Sequence, residues 1–549
     1  MKLKEHGIIM QEQQSKTLYQ ALWNSADILR SKMGAGEYKD YLLGLIFYKY
    51  LSDRMLYHAA DLLEKEVHNL DEAQQVYVDA FNDPEDKDDL IDTLKYDYSY
   101  ALEPELTFTA IVQRVNKGKF QLEELVQGFR NIEQSDELFE NLFEDVDLYS
   151  KKLGATPQKQ NQTISAVIKE LASLELAHQG DALGDAYEYL ISQFASDSGK
   201  KAGEFYTPQS VSTLMTQIVL LGKENQKGFS VYDPTMGSGS LLLNVKKLSN
   251  QPGTINYFGQ ELNTTTYNLA RMNMILHGVD VANQHLHNAD TLDADWPTEE
   301  PTNFDGVLMN PPYSAKWSAD KGFLDDARFS MYGVLAPKSK ADFAFLLHGY
   351  YHLKDTGVMA IVLPHGVLFR GAAEGKIRQS LLENGAIDTV IGLPANIFFS
   401  TSIPTTVIIL KKNRESKDVL FIDASNDFTK AKNQNNLEEE HIRKILETYK
   451  NRNNVEKYAH LATFEEIVEN DYNLNIPRYV DTFEEEEPIS LKEVSKELAD
   501  IDRQIAETNT ELAKMAQELT AATPEAQEEL DYFINFLTSI DSKGGAFSD

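Results

Sequence analysis

The chain of 549 residues has no cysteine and few basic residues for its length, and it lacks a long apolar run. The missing cysteine excludes disulfide bonds and thiolate metal sites, which is typical of a reducing compartment. The densest early apolar run, residues 41–51, contains Lys49 and is too short to span a bilayer. The first residues also lack the pattern of a secretory signal. We therefore expect a cytoplasmic protein with no membrane segment.

The charge balance is strongly acidic, with 86 acidic against 52 basic residues and a formal net charge of -34. A free-standing DNA-binding protein normally carries a basic surface, so this balance argues against tight DNA binding by the chain alone. Two explanations stay open: the acidity serves solubility, or a partner supplies the phosphate contacts. The P-loop pattern of nucleotide triphosphatases is absent, so ATP is not implied.

Three regions differ in their hydrophobic pattern. Residues 1–174 show apolar residues at helical spacing, for example over 41–57 and 122–143, and predict an N-terminal helical domain. Residues 175–425 alternate short β-rich runs with helical stretches, which predicts a doubly wound, mostly parallel, Rossmann-like α/β sheet. The predicted strands are 229–232, 256–259, 306–309, 358–363, 389–393 and 406–410.

Residues 426–549 form a charged C-terminal region. Its acidic run 484–487 precedes a predicted helix whose apolar residues recur at alternating steps of three and four. They are Leu491, Val494, Leu498, Ile501, Ile505, Leu512, Met515 and Leu519, with Thr508 in the same series. So narrow a stripe is typical of a coiled coil. It can fold back on its own domain, but we favour packing against a separate subunit.

The tetrapeptide Asn310-Pro311-Pro312-Tyr313 follows the apolar run 306–309. Open α/β sheets bind ligands at the carboxyl ends of their strands, so we expect this tetrapeptide there. The side-chain oxygen of Asn310 and the carbonyl oxygen of Pro311 can together accept both hydrogens of an exocyclic amine, aiming its lone pair at an electrophile. Tyr313 can stack on a base rotated out of a duplex. A proline-rich turn with a satisfied asparagine is the alternative.

A glycine-rich turn lies between a predicted strand and a predicted helix. Asp233 begins the turn, and Gly237, Ser238, Gly239 and Ser240 complete it. Glycines there allow a tight turn and close approach of a ligand to N–H groups at a helix N-terminus. Such turns also occur in strand-helix units that bind no ligand, so the turn acquires meaning only together with the residues that follow.

Two acids follow the next strand-like runs in order. Glu261 ends the run 257–261, a position from which an acid reaches ribose hydroxyls in doubly wound folds. Asp290 follows a further β-like stretch and can accept a hydrogen bond from an adenine amine. Either acid alone is more often a surface residue. Their succession after strand-helix units indicates a nucleoside site.

A further segment precedes the sheet. It begins at Gly203 and continues as Glu204, Phe205, Tyr206, Thr207, Pro208 and Gln209. Its two aromatic rings can form a lid over a nucleoside or methionine group. An ordinary helix-entry loop is the competing interpretation, because Thr-Pro is a normal helix start.

Taken together, these motifs resemble the modification subunits of type I restriction-modification systems, and the stretches 342–345, 363–369 and 397–406 add to the likeness. The resemblance implies N6-adenine methylation of DNA with S-adenosylmethionine as cofactor. It implies cofactor contacts at 204–209, 238–240 and Glu261, and a target-amine site at 310–313. It also implies that the chain acts on double-stranded DNA as part of a complex. That complex would contain a specificity subunit, two copies of this chain per specificity subunit, and a restriction subunit.

Three alternatives remain open. Glutamine N5-methyltransferases acting on proteins also carry Asn-Pro-Pro-Tyr, but they lack the helical domain and the coiled-coil tail. N4-cytosine transfer activates an amine in the same way, although the related enzymes usually begin the tetrapeptide with serine. A non-enzymatic cofactor-binding scaffold is the third alternative.

Overall fold

The computed structural model describes residues 20, 22–174, 176–177, 181–197, 206–398, 401–431, 434–482 and 490–541. Residues up to Asp481 pack as one compact unit, and those from Thr482 pack as another. In the described part of the chain, no helix combines the length and apolar character needed to cross a bilayer.

The N-terminal part of the first unit is helical, as predicted. After helical residues 22–30 come α1 (Ala35–Leu62), α2 (Leu70–Asn82), α3 (Lys87–Tyr98), α4 (Phe108–Asn116), α5 (Leu122–Glu133), α6 (Pro157–Ala172) and α7 (Asp181–Asp197). Their apolar faces bury Tyr48, Phe108 and Phe129 in one core. The helix predicted over 122–143 ends early, at Glu133, because the Asp136 side chain accepts from Leu138 N and starts a separate short turn.

A mixed, mostly parallel sheet forms the centre of the unit and confirms the predicted fold class. Its strands are β1 (Ser230–Asp233), β2 (Asn256–Glu261), β3 (Gln284–Asn288), β4 (Phe304–Met309), β5 (Leu353–Pro364), β6 (Ile387–Gly392), β7 (Thr405–Lys411), β8 (Val419–Asp423) and β11 (Ala459–Ala462), in the spatial order β11-β8-β6-β7-β5-β4-β1-β2-β3. Two short strands, β9 (Thr429–Lys430) and β10 (Asn435–Asn436), pair separately. Every predicted strand is present.

Two features of the sheet differ from a simple parallel series. Strand β7 runs antiparallel to both β5 and β6. The link from Gly392 to Thr405 contains no helix among its described residues, so it does not make the crossover that a parallel neighbour needs. The sheet also continues beyond residue 425, because β11 pairs with β8.

Helices cover both faces of this sheet. They are α8 (Gln209–Leu220), α9 (Ser240–Leu248), α10 (Thr264–Leu276), α11 (Asp342–Tyr351), α12 (Ala372–Glu383), α13 (Glu439–Asn451) and α14 (Phe464–Glu469). Helix α10 joins the sheet to the N-terminal helices. Its Leu269 and Met272 enter the helical core, and Arg271 donates to the main-chain oxygens of Glu140 and Leu138. The N-terminal helices therefore fix the helix that begins beside the end of β2.

The described residues of the second unit form two helices that pack on each other, α15 (Leu491–Gln517) and α16 (Pro524–Asp541). Helix α15 confirms the predicted C-terminal helix, whereas the sequence pattern did not predict α16. Most of the predicted apolar seam is not covered: Leu491 is 78% exposed, Leu498 55% and Ile505 51%. Ala513, Ala516 and Leu537 are buried instead.

Candidate active site

The predicted target-amine residues lie at the carboxyl edge of the sheet. Strand β4 is fully buried and pairs in parallel with β1, with Val231 beside Gly306 and Tyr232 beside Val307. The chain leaves β4 after Met309, so residues 310–313 emerge next to the turn that follows β1. The close approach of these two segments therefore follows from the strand register.

Hydrogen bonds hold the side chain of Asn310 at both ends. Its amide donates to Thr207 Oγ1 at 3.0 Å, and its Oδ1 accepts from the Tyr313 hydroxyl at 2.9 Å. Burial raises the pKa of Tyr313, so the hydroxyl stays protonated and able to donate. The Tyr313 ring is half-buried and meets Phe398 edge-on at 6.1 Å between ring centroids. The carboxamide is thus preorganised, and one lone pair of Oδ1 remains for a further donor.

The glycine turn has the geometry that its residues predict. Gly237 and Gly239 have φ of 55° and 81°, in the left-handed region where other residues are strained. Gly239 is the residue before α9, so the free N–H groups of that helix point at the turn. The hydroxyls of Ser238 and Ser240 are buried, and neither makes a hydrogen bond within the described residues. Polar groups of this kind are available to a ligand.

Glu261 ties the end of β2 to the glycine turn. Its carboxylate accepts from Gly237 N at 3.1 Å and from Asn263 N at 2.8 Å. Burial raises the pKa of Glu261, and these backbone donors oppose that rise. The acid is therefore held in one position beside the turn, with lone pairs left for ligand hydroxyls.

Asp233 is fully buried beneath the same turn. Its Oδ1 accepts from Thr235 N at 2.9 Å, while its Oδ2 makes no hydrogen bond within the described residues. Burial raises the pKa of Asp233 to about 8, and the nearby Glu261 carboxylate adds to that rise. At neutral pH the carboxyl group is therefore mainly protonated. Its direct contacts support the turn.

A cavity of about 540 Å³ opens at this edge of the sheet. It brings together four of the predicted residues, Glu261, Asp290, Asn310 and Pro312. The other lining residues are Pro234, Thr235, Leu262, Asn263, Thr264, Thr266, Thr291 and Phe345. Its volume lies in the range of small-molecule sites.

A smaller recess shares Thr235 and Asn310 with the cavity. It is lined by predicted residues Thr207, Gly237, Ser238 and Ser240, together with Met236 and Leu241. The residues predicted for the amine and those predicted for the cofactor thus line two adjoining spaces, and Asn310 reaches both.

Several predicted residues lie elsewhere. The Tyr206 side chain is buried in the core of the N-terminal helices and lines neither space. Gln209 is exposed, and its amide donates to Asn244 on α9 at 2.7 Å. Pro208 is buried at the start of α8, as the helix-entry interpretation predicts. Glu204 and Phe205, the remaining lid residues, lie outside the described residues.

The sequence interpretation missed part of the cavity lining. Asn263 caps α10 by accepting from Thr266 N at 2.9 Å, and this puts Thr264 and Thr266 on the cavity wall. An asparagine followed by threonines directly after a strand is a helix-start signal that could have identified them. Phe345 reaches the cavity from α11, and no local signal indicates that position.

The sheet places β4, β1, β2 and β3 side by side, with antiparallel β7 between β5 and β6 and the cavity at the carboxyl edge. The arrangement is a doubly wound α/β sheet with a ligand-sized cavity at the carboxyl ends of its strands. The chain belongs to the N-6 DNA methylase family, which matches residues 178–488, and among its members to the methylase subunits of type I restriction-modification systems. Residues 18–171 match the HsdM N-terminal domain.

Individual relatives agree with this membership. The chain is 37% identical over 506 residues to the type I restriction enzyme MpnII methylase subunit of Mycoplasma pneumoniae, covering 87% of this chain and 92% of the relative. It is 30% identical to the MjaVII methylase subunit of Methanocaldococcus jannaschii, covering 87% and 80%. A crystal structure of a type I restriction-modification methyltransferase subunit from Streptococcus thermophilus is 73% identical, with a TM-score of 0.84, covering 85% of this chain and all of that one.

Proposed function

We propose that this chain, an N6-adenine DNA methyltransferase by family, takes the methyl group from S-adenosylmethionine at the cavity and positions a flipped adenine with Asn310 and Pro311. One observation carries the proposal: Asn310 lines both the cavity with Glu261 and Asp290 and the recess with the glycine turn. A cofactor held by Glu261 and Asp290 in the cavity would therefore lie beside the Asn310 side chain that positions the amine.

The residues around the cavity fit the cofactor. The free N–H groups at the start of α9 and the unpartnered hydroxyls of Ser238 and Ser240 offer contacts for polar atoms. Glu261, held by two backbone donors, is placed to accept from ribose hydroxyls, and Asp290 to accept from an adenine amine. When bound, the cofactor supplies an electrophilic methyl group.

Positioning of the target amine is the catalytic task of residues 310–313. Asn310 Oδ1 and the Pro311 carbonyl, which accepts no other hydrogen bond within the described residues, would each accept one amine hydrogen. Both bonds localise the nitrogen lone pair, and they strengthen as positive charge develops on that nitrogen. Once a bound cofactor had supplied its methyl group, the amine would lose to solvent one of the two hydrogens held by Asn310 and Pro311. A buried strong base is not required.

The C-terminal helices support an interaction with other subunits. The exposed apolar seam of α15 is a surface that another helix can cover. We propose that this seam binds the specificity subunit, which selects the DNA sequence. Two copies of this chain would join one specificity subunit, and a restriction subunit can join the same complex in the cytoplasm. Residues 1–174 and 175–425 would then serve as helical and catalytic regions. Of residues 426–549, those up to Asp481 belong to the first unit, so the assembly role would fall to the helices that follow.

The test compares Asn310→Ala with Asn303→Ala in a complex with the specificity subunit. Asn303 is an exposed asparagine at the opposite end of β4 and is the matched control. Labelled methyl transfer to DNA should fall at least about 100-fold in N310A, as when an oxyanion-hole donor is removed, with cofactor affinity retained. N303A should keep full activity. Equal activity in both variants would refute the proposed mechanism.

Mass analysis of nucleosides from the reacted DNA distinguishes the products. N6-methyladenine supports the proposal, whereas N4-methylcytosine or methylation of a protein glutamine would contradict it. Cofactor binding without any methylated product would indicate a scaffold.

A further inference from the structure

The loop between Tyr313 and α11 carries three exposed lysines. Lys321 lies within the loop, whereas Lys316 and Lys338 lie on its two ends, and the first of these ends begins directly after the amine-site tetrapeptide. Neither the Lys316 nor the Lys338 ammonium group forms an ion pair among the described residues. Other exposed lysines, such as Lys227, also form no ion pair within the described residues, so what sets these two apart is their place in the loop that begins at the amine-site tetrapeptide.

Backbone hydrogen bonds bring these lysines onto neighbouring segments. Trp317 N donates to Lys338 O at 3.1 Å, and Ala341 N donates to Ala315 O at 2.9 Å. The two ends of the loop therefore run alongside each other, with one lysine on each. We call Lys316 and Lys338 the lysine pair.

The loop is anchored, so the lysine pair has a defined place. Trp317 is buried, donates from its indole nitrogen to Pro337 O at 3.2 Å, and packs against Phe323 and Phe329. An anchored loop presents its charges with a smaller entropy loss on binding than a free one.

The beginning of the loop is fixed to the amine site. Ser314 N, directly after the tetrapeptide, donates to the buried Asp342 at 2.8 Å, and Asp342 pairs with Arg370 at 3.1 Å. The start of the loop, which adjoins residues 310–313, is therefore fixed to α11.

The nearby charged groups leave the lysine pair available. Asp326 forms an ion pair with Arg328 at 2.7 Å, and Asp320 caps a short turn by accepting from Gly322 N. Two other lysines of this region are not part of the pair: Lys321 begins the short turn that Asp320 caps, and Lys340 is half-buried and is attracted to Glu374.

We infer that the lysine pair binds two backbone phosphates of the DNA strand next to the flipped adenine. Phosphate is the anion that a duplex presents at regular spacing, and lysine is a suitable point charge for it. This inference rests on the proposed function and adds to it: the acidic chain would contribute its own phosphate contacts at the target base, while a partner reads the sequence.

The test measures salt dependence of DNA binding by the complex with the specificity subunit. Fluorescence anisotropy follows a labelled duplex that carries the mapped methylation site, from 50 to 200 mM salt. Each phosphate contact contributes about -0.9 to the slope of log affinity against log salt, so K316Q/K338Q should flatten the slope by about 1.8. Over this range the wild-type complex should lose about twelvefold more affinity than the variant.

The matched control is K227Q/K417Q. Lys227 and Lys417 are exposed lysines that precede β1 and β8 at the opposite edge of the sheet. This control should keep the wild-type slope, and K316R/K338R should restore it because the charge is retained. An unchanged slope in K316Q/K338Q, or an equal loss in K227Q/K417Q, would overturn the inference. Failure of the wild-type complex to methylate adenine would instead count against the proposed function.

Discussion

The side-chain amide of Asn310 donates to the hydroxyl oxygen of Thr207 at 3.0 Å, across 103 positions of sequence. This bond joins the residue that follows the carboxyl end of β4 to the segment that leads into α8. It fixes which way the carboxamide faces, and Oδ1 is thereby directed to the Tyr313 hydroxyl. Thr207 therefore acts on the candidate amine site through Asn310.

Replacement of this hydroxyl should lower the rate without loss of cofactor binding. Thr207→Val keeps the shape of the side chain and removes the acceptor, which costs about 1 kcal/mol, or roughly fivefold in kcat. Thr207→Ser retains the hydroxyl and should restore most of the rate. Single-turnover methyl transfer and calorimetric cofactor titration separate the two effects. If Val and Ser variants are equally slow, the hydrogen bond is not the cause.

The buried Asp233 should make stability depend on pH. Its pKa rises from 3.8 to about 8 on folding, so between these values the folded chain holds a proton that the unfolded chain has released. The contribution of Asp233 to the free energy of unfolding is greatest below pH 4. It is lost as pH rises towards 8, by at most about 1.4 kcal/mol per pH unit. Asp233→Asn should remove this dependence.

Urea midpoints from pH 5.5 to 8.5 measure the effect, with the advantage of D233N over the wild type growing as pH rises. Asp305→Asn is the control. Burial favours the neutral form of Asp305, but hydrogen bonds from Lys354 and Ser230 outweigh it and lower the pKa. Its contribution is lost only in acid, so D305N should differ from the wild type by a constant amount over this range. A constant difference for D233N as well would contradict the assignment.

Glu261 should matter for cofactor binding more than for folding. In Glu261→Gln one oxygen becomes an amide group facing a backbone N–H, so one of the two bonds to Gly237 and Asn263 is lost. We expect roughly tenfold weaker binding of S-adenosylhomocysteine by calorimetry, equivalent to about 1.4 kcal/mol. Asp423→Asn is the matched control, because Asp423 ends β8 and accepts from Ser425 N at 3.0 Å but does not line the cavity. Equal losses in both variants would exclude a specific role.

The seam of α15 should be needed for assembly and not for the fold of the first unit. Leu498→Asp with Ile505→Asp places charges on exposed seam positions, which another helix could bury only at a cost of several kcal/mol. Co-purification with the specificity subunit should be lost, while cofactor binding remains. Lys496→Asp with Gln504→Asp changes exposed positions outside the seam and should assemble normally. Normal assembly of the seam variant would refute this prediction.

Local patterns were sufficient for much of this fold. The strand runs, the glycine turn and the order of Glu261 and Asp290 are short-range features, because apolar runs, φ-permissive glycines and helix starts depend on neighbours in sequence. The helix predicted to reach residue 143 shows the limit of such patterns. The apolar spacing continues to residue 143, but the Asp136 side chain caps a separate short turn, so the helix does not continue. Helix α16 follows a Thr-Pro start that could have predicted it, but its apolar residues do not continue the seam of α15.

The sequence by itself determined the helices and strands and the residues at their ends, because apolar spacing and turn-forming residues depend on positions that are adjacent in sequence. Only the tertiary structure decided that β7 enters the sheet reversed, that the Tyr206 ring belongs to the helical core, and that Thr207 meets Asn310. These outcomes depend on register and on contacts between distant segments. Their energies arise only when the sheet has brought the segments together.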